Sequence, residues 1–407
     1  MDIRKDSHVV LTPLVIHRQK KNIIVEDVRM KEYYEMSPAS ADAIEALQAG
    51  GKPGDIEEEL KRRYPDEEID MLQFVSDLVE LGLVAELDGQ ALLPEAEEEE
   101  EEEQAQAERR EFPIFHRIGC FLFRTPFILI YPAALIYSIW MMLTRPQYGP
   151  EFHSMHILDT MTLNVIIWAG LSLLLLAFHE FSHFLAARAY RVPSTYDFGH
   201  RYYFLVLETQ MTDIWKLEPR QRIIPYLAGM MNDSVMLALS IALRILFPEM
   251  NDVLYETLEL ATFYLVIMLV FQICVFMKTD MYYVVETLSG HLNLQERATR
   301  WLRDMIMRRP REQEPGFVKF FVCVYCAGIG LVAWFFVWRA YPQFMHFLDH
   351  ATDYLSYPVT DFFFWDGILF IAVNAASLAI LFYSWYRELM GYLRVRSAKR
   401  LAEASDG

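Results

Sequence analysis

Six stretches of this chain are apolar for about 18 residues or more, and one of them, LSLLLLAFHEFSHFLAARAY (171–190), holds His179, Glu180 and His183 in its second half. Runs of that length are what a helix needs to cross a bilayer. His residues at i and i+4 share one helix face, so two imidazoles can hold one metal ion, and zinc is the expected ion. The Glu directly after the first His lies near enough to take a proton from a water activated by that metal. The alternative, two His and a Glu buried as ordinary helix residues, is the weaker one. Three ionisable groups inside a membrane-like run are costly, and a functional role is the default expectation.

Composition supports a membrane protein: 54% of 407 residues are hydrophobic and 14% aromatic, too apolar for an ordinary soluble domain. The first 30 residues are polar and mixed in charge, so no cleavable signal is expected there. The net charge of −18 is unevenly spread: residues 1–111 hold 13 Lys/Arg against 30 Asp/Glu, the rest 24 against 25. So acidic a front end argues against nucleic acid as a partner. Spans are expected near 126–144, 161–189, 223–246, 257–278, 317–338 and 362–386. Arg109, Arg110, Arg117 and Arg124 precede the first, six Arg lie in 279–316, and Arg387, Arg394, Arg396, Lys399 and Arg400 follow the last. Segments 247–256 and 343–361 contain no Lys or Arg. The positive-inside rule then puts both ends in the cytoplasm of a multi-pass protein of the cell membrane. His179 falls about 27 Å along the second span, in the inner part of the bilayer.

Ahead of the spans, HVVLTPLVIH, KNIIVEDVR and KEYYEM read as short strands. Ser37-Pro38 opens a first helix that Gly50-Gly51 closes; Asp55 is expected to cap a second. A third starts in the acidic turn Asp66, Glu67, Glu68, buries Ile69, Leu72, Val75 and Val79, and stops at Gly82. Strands followed by three helices predict a small α+β winged-helix-like domain over residues 1–90. The stretch from Tyr33 to Val84 resembles a PqqD-like domain, the leader-peptide recognition element of systems that modify ribosomally made peptides. The resemblance covers roughly residues 8–88 and implies that an extended leader adds as a strand beside the third strand, against the last helix. Tyr33, Tyr34, Val75, Leu78 and Val79 would line that groove, or else fill the core of the small domain. Residues 91–112 are dominated by like charge and predict a flexible acidic linker. The membrane domain spans 113–400, with a core at 161–305 and a short tail at 401–407.

A catalytic zinc takes three protein ligands and keeps one position open. Asp280 is the first choice for the third, since it returns to the depth of His179 where the fourth span meets the cytoplasm; its bland alternative is an interfacial Asp balanced by Lys278. Asp233, near the inner end of the third span, is the rival, and Glu208 and Asp213 lie in the intervening segment. HEFSH, AGMMND (228–233) and TDMYYVVETLSGHLNLQERA occur in the order found in site-2 proteases, and the chain resembles that family of intramembrane zinc metalloproteases, in its peptide zinc metalloprotease branch. Met230 stands where the family has proline, Met281 where it has glycine, and the Asn/Pro stretch before the aspartate is missing. The resemblance implies His179, His183 and Asp280 as zinc ligands and Glu180 as general base and acid. Asn232 would then donate to the scissile carbonyl or fix the substrate backbone, unless it makes an interhelix hydrogen bond. Segment 194–212 predicts a hairpin whose edge clamps an extended peptide or simply seals the site. His200 within it is not expected to be a ligand. Cys323 and Cys326, His153 and His156, and His346 and His350 are read as ordinary membrane-helix or interfacial residues.

The expected function is an intramembrane zinc endopeptidase that binds a precursor peptide by its leader and cleaves it at the cytoplasmic face, with an exporter or modifying enzyme as a possible further partner. The rivals are a regulatory protease acting on a membrane-anchored signalling protein, and a non-catalytic peptide receptor or immunity protein.

Overall fold

The computed structural model describes residues 3–19, 22–30, 32–92, 113–150, 157–158, 160–201, 204–310 and 313–405. Residues 93–112 of the expected acidic linker lie outside these residues, as do His153 and His156. In the small domain the first expected strand divides at Thr12-Pro13 into β1 (Val9–Leu11) and β2 (Leu14–Arg18). Proline cannot donate to a ladder, and the chain changes sheets there. β1 pairs with β5 (Val84–Leu87), which pairs with β6 (Gln90–Ala91). β2 joins β3 (Ile23–Asp27) and β4 (Glu32–Met36) in a second antiparallel sheet, order β2-β3-β4.

Three helices cover one face of that sheet: α1 (Pro38–Gln48), α2 (Pro53–Arg63) and α3 (Met71–Glu80). Ser37 caps α1 as expected, its Oγ accepting from Ser40 N at 3.1 Å. Two helix starts differ from expectation. Pro53, with its φ preset for a first turn, begins α2 two residues ahead of Asp55, and Lys52 occupies the cap without a side-chain bond. Asp70, not the acidic turn before it, caps α3, its Oδ1 accepting from Leu72 N and Gln73 N at 3.0 Å each. The core holds Val25, Ile44, Leu47, Met71, Val75, Leu78 and Leu83.

The rest is mostly helical. α4 (Pro113–Arg124) leads into α5 (Ile130–Thr144), and α6 (Met161–Ala189) carries the two His. A hairpin of β7 (Thr195–Arg201) and β8 (Phe204–Gln210) and a 3-10 turn (Thr212–Lys216) lead to α7 (Pro219–Leu246) and α8 (Asp252–Gln272). α9 (Asp280–Ser289), α10 (Leu294–Ile306), α11 (Gly316–Phe335), α12 (Tyr341–Tyr354) and α13 (Phe362–Ser405) complete the chain. Among the described residues six helices are long and apolar enough to cross a membrane: Pro126–Thr144, Met161–Ala189, Pro219–Leu246, Asp252–Gln272, Gly316–Trp338 and Phe362–Ile380. Their outward faces stay apolar, with Leu143, Ile136 and Leu246 each more than two-thirds exposed, as lipid contact requires.

The fourth apolar run does not continue to 278. α8 stops at Gln272, the chain turns through Val275–Met277 with Lys278 left-handed at φ 53°, and Asp280 opens a new helix. α7 is the hub, packing on α5, α6, α8 and α9. α4 lies along the C-terminal half of α6. A Cβ on Gly119 would sit 2.1 Å from the Leu185 carbonyl oxygen, so only glycine permits that approach.

Candidate metal centre

His179 and His183 stand one turn apart on α6, both buried. Each ring is oriented from behind. His179 Nδ1–H donates to Asp233 Oδ2 at 2.7 Å, and His183 Nδ1–H donates to the Pro225 carbonyl at 2.8 Å. A carbonyl only accepts, so His183 must carry its proton on Nδ1, and both Nε2 atoms face forward as acceptors. They converge on Asp280. Its Oδ2 lies 3.1 Å from His179 Nε2 and 3.2 Å from His183 Nε2, and the two Nε2 atoms are 3.2 Å apart.

A tetrahedral zinc with bonds of about 2.05 Å requires ligand atoms about 3.3 Å apart, which is the size of this triangle. Three acceptors facing one another in this way suit a cation at the centre. Orientation of metal-binding His rings by a carboxylate or carbonyl on the other nitrogen is the usual supporting pattern. Gly229 completes the fit: a Cβ there would lie 2.3 Å from His179 Nε2 and 2.5 Å from His183 Nε2. His179, Glu180 and His183 also form a group whose possible ligand atoms all lie within 4.8 Å of one another, so Glu180 is near enough to compete with Asp280. The residues present therefore suit a zinc-like cation.

Asp280 reaches this place because of the turn before it. The Gln272 side chain accepts from Asp280 N at 3.0 Å through Oε1, and its carbonyl accepts from Thr279 Oγ1 at 2.7 Å. With Oε1 so engaged, the amide nitrogen of Gln272 faces His179 Nε2 at 3.3 Å. Lys278 points away and pairs with Glu296, so it does not balance Asp280. Asp233, the rival for third ligand, is the orienting partner behind His179.

Glu180 faces a cavity of about 220 Å³ that His183, Asp280, Thr209, Trp215 and Tyr283 also line. Its Oε2 accepts from the Thr209 backbone N–H at 2.8 Å, and the Thr209 hydroxyl lies 2.8 Å from the same oxygen. Asn232 sits one turn beyond Gly229, with its Nδ2 buried and without a hydrogen-bond partner. A buried donor left unpaired is costly, and Asn232 is not among the residues that line the cavity.

The remaining expected residues fall elsewhere. Val75 and Leu78 are fully buried in the small-domain core, and Tyr34 and Val79 pack against it. Tyr33 projects from the opposite sheet face and donates through its hydroxyl to Asp213 Oδ1 at 2.8 Å. The side chains of Glu208, His200 and His350 lie outside the described residues. Cys323 and Cys326 are free and exposed on α11. The roles of Gln272, Thr209 and Gly229 were not assigned from sequence. Of these, only Gln272 gave a signal, an amide in an otherwise apolar run.

No protein-family model, curated protein or solved structure matches the chain. Its functional assignment therefore stands on the geometry of this centre.

Proposed function

We propose that the protein is a zinc-dependent intramembrane endopeptidase of site-2 protease type, with a PqqD-like domain that recruits a ribosomally made precursor peptide by its leader. The observation that carries this is the triangle of His179 Nε2, His183 Nε2 and Asp280 Oδ2, with Glu180 at its side and a cavity before it. Zinc held there would polarise the scissile carbonyl and make a water acidic enough to lose a proton near neutral pH. The chain's own residues do the rest. Glu180 accepts the water's proton and returns it to the leaving amine. Gln272 Nε2 supplies a donor for the carbonyl oxygen as its charge grows. Asp233 and Pro225 keep both rings aimed and in the tautomer that leaves Nε2 free.

Glu180 argues for chemistry over a structural ion, since a structural site is closed by four ligands and needs no base. The charge pattern of the flanks supports a cytoplasmic site in the cell membrane. The small domain contacts the turn whose Ile214 and Trp215 line the cavity, and this contact supports delivery of a peptide from that side.

Coexpression of the full chain with candidate precursors, followed by mass spectrometry, tests the proposal. A precursor should be cut by the wild type and remain whole with Glu180→Gln. Identical products from both would exclude proteolysis by this site.

A further inference from the structure

The small domain grips a short turn of the membrane domain, and that turn leads directly to Glu180. In the β2-β3-β4 sheet, Ile16, Val25 and Tyr34 point into the domain's own core. The cross-strand partners Glu26 and Tyr33, and Ile24 with Glu35, share the opposite face. No helix of the small domain covers that face, yet Ile24 is 2% and Glu26 3% exposed. The turn Thr212–Lys216 packs on it at Glu26 and Tyr33, while Glu35 on the same face feels the charges of Arg297 and His291. Lys216 Nζ lies 2.7 Å from Glu26 Oε1 and 3.1 Å from Asp213 Oδ2, Tyr33 donates to Asp213, and Gln19 Nε2 donates to the Trp215 carbonyl at 3.0 Å.

The turn is stiff. Ile214 N–H donates to the Met211 carbonyl at 3.0 Å, and the Arg222 guanidinium donates to the carbonyls of Trp215 and Leu217 at 2.9 Å each. Ile214 is buried with Ala187, Tyr226 and Val284. Only Gln210 and Met211 separate the start of the turn, Thr212, from Thr209, whose N–H and hydroxyl hold Glu180 Oε2. Two residues leave little chain to absorb a displacement.

We propose that residues Thr209–Lys216 form a positioning arm, with the small domain holding one end and the Glu180 carboxylate fixed by the other. Glu26, Tyr33, Asp213 and Lys216 are its positioning residues. Leader capture and base orientation are then one mechanical event: whatever shifts the small domain's outer sheet face shifts Thr209. The proposal deepens the hydrolytic assignment and rests on Glu180 being the base.

The test uses the full chain in lipid nanodiscs, with hydrogen–deuterium exchange read at the Thr209 amide. Combining Tyr33→Phe with Lys216→Met should speed that exchange about tenfold, the scale of a lost charge-assisted bond network. Tyr33→Phe with Lys216→Arg should lie much closer to wild type. With a short fluorogenic peptide lacking any leader, the first pair should lower kcat and leave KM in place, because the base and not capture is disturbed. Unchanged exchange at Thr209, with faster exchange confined to residues 23–36, would overturn the arm, as would a change in KM alone. Exchange does not depend on turnover. Were wild type to cut no peptide while the exchange result held, proteolysis would fail and the arm would stand.

Discussion

At the scale of single residues, the centre depends on what stands behind and beside the ligands. Gly229→Ala would force a methyl group to 2.3 Å from His179 Nε2, against two rings that Asp233 and the Pro225 carbonyl hold from behind. Loss of bound zinc with the fold intact is expected, measured as metal per chain beside the thermal unfolding curve. Asp233→Asn keeps the shape but removes the charge behind His179, and zinc affinity should fall roughly 10- to 100-fold in a chelator competition. The two His and Glu180 were legible because a 3.6-residue period puts i and i+4 on one face. Asp280 was favoured over Asp233 by depth, and both do lie at the centre. Depth could not tell which ring nitrogen each would meet, because that depends on how α7 and α9 approach α6. Gln272 stayed hidden in function because its contact follows from the turn at 273–279, which an unbroken apolar run does not announce.

At the scale of elements, the small domain shows where sequence cues hold and where they slip. Ser37 was a readable cap, whereas Asp55 lost its place to Pro53 and the acidic turn lost its place to Asp70. Competing caps a few residues apart are settled by packing, which local pattern does not contain. Val75 and Leu78 fill the core that α3 shares with the sheet, so a leader laid beside β4 would meet their neighbours first. α1 is tied to its surroundings by Asp42. Burial pushes its carboxyl up, but hydrogen bonds from Tyr64 and Arg18 and the charge of Arg63 outweigh that and hold it below the ordinary range. A lowered folded-state value stabilises above the unfolded value near 3.9 and is lost as pH falls through the folded one. Asp42→Asn should therefore loosen the small domain at neutral pH. The difference from wild type should shrink below about pH 4, as read by exchange protection of α1 amides across pH.

At the scale of the whole molecule, two parts joined through an acidic segment meet face to face. The acidic run 94–111, read from its sequence as a flexible tether of about 18 residues, would have an r.m.s. reach of roughly 20–25 Å and by itself would only raise local concentration. Contacts from Gln19, Glu26 and Tyr33 to residues 213–216 add a defined placement. Nothing in the sequence revealed that docking: Glu26 and Lys216 carry no pattern linking them, and each alone reads as a solvated charge. The six helices long and apolar enough to cross a membrane were readable from the length of their apolar runs. Deleting residues 1–90 should raise KM for a leader-bearing precursor severalfold or more and leave zinc content unchanged; equal KM would remove the recruiting role.

The account turns on whether one cation sits among His179, His183 and Asp280. Metal analysis of the purified full chain, wild type beside Asp280→Ala, asks this directly. Wild type should carry about one zinc per chain and Asp280→Ala far less, with both folded. Wild type free of zinc after purification in its presence, or Asp280→Ala retaining the full amount, would contradict it.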